Sequence, residues 1–121
     1  MKYMIMMFGD QAGMMENPKT TPEWIRDMVG FMTTLNSELS ASGEFVAGEG
    51  LADAPTAKTV SLVNGQPVTT DGPFAEAKES LAGFWILDVE NEARALEIAG
   101  RIVHWADRVE VRQIGDAPPE E

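Results

Sequence analysis

This sequence predicts an α+β fold, a βαββαβ layer of sheet and helices with an added β-hairpin, and three observations predict it. KYMIMMF at 2–8 and GFWILDV at 83–89 are short runs of consecutive apolar residues, with the length and composition of buried strands. Two stretches with apolar residues at three- and four-residue spacing lie after those runs and read as helices. Asn64-Gly65, flanked by KTVSLV and QPVTT, marks a tight hairpin, because both central positions of a type I′ turn need positive φ.

The elements follow in order. Residues 2–8 form the first strand, and GDQAGMMENPKT is a polar loop. Thr21-Pro22 then starts a helix, the threonine as N-cap and the proline in the first turn. Trp24, Met28, Met32, Leu35 and Leu39, with Ile25 alongside, make the apolar face of a helix of about five turns. Gly43 is its stop. EFVAGEGL reads as a strand interrupted by glycines, followed by the hairpin and then by GFWILDV. Asn91 caps a second helix, with Leu96, Ala99, Ile102 and Val103 expected on its buried face. RVEVRQI alternates apolar and charged residues and closes the chain as a strand. The order β-α-β-β-β-β-α-β is a ferredoxin-like βαββαβ arrangement plus a hairpin.

Two helices cover one face of such a sheet. Yet MIMMF and FWIL are apolar at consecutive positions, so both faces carry oily side chains. A bare second face would be a large apolar patch. A second copy of the sheet is the simplest cover, and the expectation is a homodimer forming a dimeric α/β barrel.

Composition narrows the function. The length of 121 residues fits one domain, with 44% hydrophobic residues to fill a core. That domain is expected over 1–114, with 115–121 an acidic, proline-rich tail expected to be disordered. There is no cysteine and one histidine, His104, which removes thiolate chemistry and the usual zinc ligand sets. A net charge of −11 would repel a phosphate backbone, so no nucleic-acid partner is expected. No apolar run reaches membrane length and no secretory signal is apparent, so no membrane partner and a cytoplasmic location are expected. GxGxxG, GxxxxGK[ST] and the D-x-D-x-D calcium spacing are absent, and no cofactor or metal is expected.

Five stretches carry a resemblance: MKYMIMMFGD, GEGL at 48–51, TDGPFAEAKE at 70–79, AGFWILDV and RVEVRQI. Together they resemble the YCII-related family, and TDGPFAEAKE its DGPF branch. The resemblance implies a dimeric α/β barrel, a fold shared with muconolactone isomerase-like proteins and a dehydrochlorinase. It also implies an acid–base pair, since some members join a histidine on the first helix to an aspartate. This chain has no histidine in 22–43, so that pair is not reproduced. DGPF-branch genes often accompany genes for alternative sigma factors, which implies a regulatory protein partner.

TDGPFAEAKE supports two readings. Structurally, Asp71 accepts from backbone N–H groups, Gly72 takes an unusual φ, Pro73 starts a short helical turn and Phe74 anchors it. Functionally, the same turn holds Asp71 as a general acid or base, with Lys78 stabilising negative charge. Phe74, Glu76 and Phe84 would then line the substrate site. Glu49, between two glycines, and Tyr3, on the first strand, are further substrate-binding candidates. His104 suits a helix C-terminus, and the many methionines are first of all core fillers. Two functions stay open. One is a cofactor-independent acid–base enzyme, of isomerase or lyase type, acting on a small organic molecule. The other is a non-catalytic ligand-binding or regulatory dimer.

Overall fold

The computed structural model describes residues 1–9, 18–52, 56–72 and 80–115. Pro73, Phe74, Glu76 and Lys78 of the TDGPFAEAKE stretch lie outside the described residues, as do most of the expected 9–20 loop and the tail from 116. The elements are β1 (Lys2–Gly9), α1 (Pro22–Ser42), β2 (Phe45–Gly50), β3 (Lys58–Val63), β4 (Gln66–Asp71), β5 (Ser80–Asp88), α2 (Glu92–Ile102), a 3-10 turn (Val103–Trp105) and β6 (Arg108–Gln113). This is the predicted order.

The local signals act as the chemistry requires. The Thr21 hydroxyl accepts from the Trp24 N–H at 3.1 Å and opens α1, while the Asn91 side chain accepts from the Arg94 N–H at 3.0 Å and opens α2. Gly43 ends α1 with φ of 80°. Asn64 and Gly65 sit at φ of 51° and 79°, the two left-handed positions of the predicted turn.

Four strands make an antiparallel sheet in the order β2-β5-β1-β6. Each helix therefore crosses over one intervening strand, as in a ferredoxin-like layer. Both helices pack on one face. There Tyr3, Ile5, Trp85 and Leu87 of the sheet meet Leu35 and Leu39 of α1, and Ala95, Ile98, Ala99 and Ile102 of α2. Burying each of the larger aliphatic chains contributes about 1.5–3 kcal/mol.

The buried face of α2 differs from expectation. Ala95, Ile98, Ala99 and Ile102 face the core, whereas Leu96 is 53% and Val103 41% exposed. Ala99 and Ile102 are buried as expected, and Ala95 and Ile98 take the places expected of Leu96 and Val103 in a continuous 95/98/99/102 stripe. Val103 falls beyond the helix, in the 3-10 turn.

An ion pair ties the end of α1 to α2. Arg94 donates from Nε and Nη2 to the two Glu44 oxygens, each at 2.9 Å, and Ser42 donates to Glu44 Oε1 at 2.8 Å. Hydrogen bonding from Arg94 holds the Glu44 carboxyl below its ordinary range against the opposing effect of burial. The Glu44 hydrogen bonds in turn push the Arg94 guanidinium further up.

The other sheet face carries Met4, Met6 and Phe8 of β1 beside Phe84 and Ile86 of β5, with Met4 opposite Ile86 and Met6 opposite Phe84. All five are half-buried. Arg108 of β6 lies 4.5 Å from the centre of the Phe8 ring at one border of this strip. The hairpin β3–β4 is a separate two-stranded sheet, and every residue of its strands except Thr59 is exposed. Among the described residues no helix is long and apolar enough to cross a membrane.

Candidate functional site

A cavity of about 460 Å³ opens between the first half of α1 and the β2–β5 edge of the sheet. Its helical wall is Trp24, Met28, Met32 and Asn36, residues four apart and so on one side of α1. Its sheet wall contains Gly48 and Gly50 of β2 and Gly83 of β5. Trp105 closes one end from the 3-10 turn, where its ring stacks on Phe31 at 5.7 Å and tilts against Trp24 at 5.4 Å.

The space exists because the facing strands lack side chains at these points. At Gly83 the need for glycine is steric. A Cβ there would stand 3.0 Å from the Glu49 carbonyl oxygen, on the neighbouring strand. The strands can therefore approach here only without a side chain, and that same lack leaves room opposite Met28 and Met32.

Thr20, Asn36, Glu49 and the Trp85 indole are the polar members of the described lining. Trp85 donates its indole N–H to Asn36 Oδ1 at 2.8 Å, from strand to helix. Glu49 is the one ionisable residue among the described residues that border the cavity, and its pairing with Phe84 turns its exposed side chain toward the other sheet face. The remaining walls are mostly apolar, the usual character of a small-molecule site. All three tryptophans of the chain, Trp24, Trp85 and Trp105, belong to the lining.

The structure brings only some of the sequence-predicted residues together. Glu49 and Phe84, paired in the β2–β5 ladder, both border the cavity, with their side chains turned to the helix-free face. Glu49 sits on an edge strand that has a register irregularity near its start, between Phe45 and Ala47. Tyr3 is in the core, with its side chain among the helices' apolar residues and not in the cavity lining. Asp71 ends β4 opposite Lys58 and forms an ion pair with it, its side chain 88% exposed and away from the cavity. Gly72, at φ of 91°, does adopt the unusual backbone expected of it. Phe74, Glu76 and Lys78 lie outside the described residues. His104 is exposed in the 3-10 turn.

Sequence reasoning missed Asn36 and Trp105, and it assigned Trp24, Met28 and Met32 to the core. One signal was present. Asn36 continues the 24/28/32 row by one more step of four, so a polar residue stands on an apolar stripe.

Against known proteins, the family model for the YCII-related domain matches residues 1–118. An uncharacterized protein of Rhizobium meliloti (strain 1021) is 39% identical over 49 residues. That match covers 40% of this chain and 40% of the relative's length.

Proposed function

The chain belongs to the YCII-related domain family, and from that premise we propose that it binds a small, largely apolar organic molecule in the cavity beside α1, with one such site in each copy of a homodimer. One observation carries the reading: a cavity walled by three tryptophans and two α1 methionines, against a strand floor of glycines. Apolar and aromatic walls with few polar groups suit a compact molecule of one or two rings. The methionines adapt to its outline.

The dimer rests on the helix-free sheet face. Met4, Met6, Phe8, Phe84 and Ile86 form an apolar strip there, and a second copy laid on it would remove the strip from water. Phe84 borders both that face and the cavity, so the site would lie next to the subunit contact.

In the catalytic form of this function, Glu49, on the edge strand at the cavity rim, swings to the ligand and takes a proton from a carbon acid. Returning it to another carbon is isomerase chemistry, and expelling a leaving group from the adjacent carbon is lyase chemistry, neither needing a cofactor. Proton transfer is assigned to Glu49 rather than Asp71, whose carboxylate is engaged by Lys58 on the hairpin. The non-catalytic form is favoured by a specific observation: Glu49 is the one ionisable residue of the described lining, and its exposed side chain stands on the strand position that faces away from α1. Ligand occupancy would then serve a regulatory partner, which the charge of −11 inclines toward a basic protein.

Indane and 1-indanone are suitable probes. Both should change the tryptophan fluorescence of the native chain, and Met32→Trp, which fills the cavity, should abolish the response while the protein stays folded. No response in the native chain would reject the cavity as a site. In heavy water, catalysis would appear as faster exchange of the 1-indanone α-protons than in buffer, slowed at least tenfold by Glu49→Gln. Background exchange with bound ketone would select the non-catalytic form.

A further inference from the structure

We infer that Asn36 is the polar anchor of the cavity, its side-chain N–H pair donating to the carbonyl oxygen of a neutral ligand such as a ketone, lactone or amide. The inference rests on the cavity being a binding site and adds the chemical class of its occupant. An indole N–H can only donate, so the Asn36 atom 2.8 Å from Trp85 Nε1 is the amide oxygen. This fixes which way the amide is turned and directs Nδ2 away from the indole. Among the described residues no acceptor takes up Nδ2, while Asn36 lines the cavity and is half-buried. An oriented amide whose donors no described residue takes up therefore stands on the wall of a largely apolar space, where a matching ligand acceptor is rewarded.

The charge of the ligand follows from the same lining. No lysine, arginine or histidine stands among the described lining residues, and the one acid there, Glu49, is paired with Phe84 and directs its exposed side chain to the other sheet face. A carboxylate ligand would bring a negative charge into the cavity with no cation among the described lining residues to meet it. A neutral carbonyl satisfies Asn36 without that penalty. Aromatic rings at Trp24, Trp85 and Trp105 suit a flat body attached to that carbonyl.

The test compares indane, 1-indanone and indane-1-carboxylate by tryptophan fluorescence, with equilibrium dialysis as an independent measure. The native chain should bind 1-indanone roughly three- to tenfold more tightly than indane, the range of one neutral hydrogen bond, and the carboxylate more weakly than the ketone. Asn36→Asp keeps an acceptor for the Trp85 indole and removes both donors. It should erase the preference for the ketone and leave indane affinity within about twofold. The native-chain ranking is informative by itself should the variant fail to fold. Equal binding of indane and 1-indanone would overturn the Asn36 anchor and leave the cavity reading intact. A carboxylate bound more tightly than the ketone would overturn the neutral class. Failure of every probe to bind would remove the cavity reading and the anchor together.

Discussion

The two halves of α1 share one apolar row and meet two different surfaces. From Leu35 to Leu39 the helix lies on Ile5, Leu87, Ile98 and neighbours, and both leucines are fully enclosed. From Trp24 to Met32 the same stripe faces Gly48, Gly50 and Gly83, and none of its residues is fully buried. Helical periodicity sets the direction in which a side chain points. The partner strand decides whether it meets a side chain or a space. A single helix thus holds the fold together at one end and props open a cavity at the other.

That contrast can be broken by truncation. Leu35→Ala should cost about 2–5 kcal/mol in a denaturant titration, since it empties a packed position. A loss under about 1 kcal/mol would mean the core half is as loosely held as the cavity half.

The second test addresses what anchors the packed end. Glu44→Gln should destabilise by about 1–2 kcal/mol at neutral pH, through the lost charge-assisted bonds to Arg94. The Glu44 carboxyl is held below its ordinary value in the folded chain. Its contribution is therefore full above the unfolded-state value and fades as pH falls through the lowered one. The stability gap between native chain and variant should narrow in acid; a gap that widens there would contradict the assignment.

The smallest effect belongs to the open end. Met28→Ala should change stability by under about 1 kcal/mol, because the side chain borders space already. It should still alter the fluorescence of the surrounding tryptophans and the affinity for indane. A loss as large as that of Leu35→Ala would show that the two halves are packed alike.

The fold was legible because its signals are local. Thr21-Pro22, Gly43, Asn64-Gly65 and Asn91 each act within a few residues, and each appears where its chemistry places it. On α2, Ala99 and Ile102 were legible, but Leu96 drew the expected stripe aside because it is more apolar than Ala95, while packing selected the continuous 95/98/99/102 row. The cavity was not legible in the same way. It is a space left where glycines at 48, 50 and 83 come opposite residues of α1, and no local pattern records an absence of that kind. Glu49 and Phe84 were identified from their own surroundings, but Asn36 gains its meaning from Trp85, 49 positions away. Asp71 stood out through turn chemistry, and turn chemistry placed it on the hairpin, where Lys58 holds it.

Leu51 donates its backbone N–H to the Ala82 carbonyl at 2.8 Å, so the chain departs from the sheet and rejoins it at one point. The hairpin β3–β4 is therefore a detour between the neighbouring strands β2 and β5. A short bend would close the same ladder. Growth or shrinkage of this detour costs the layer little, because closing a loop depends only weakly on its length. The shape and chemistry of the detour are thereby released from the demands of folding, and it departs and returns at the rim where Gly50 and Ala82 border the hollow.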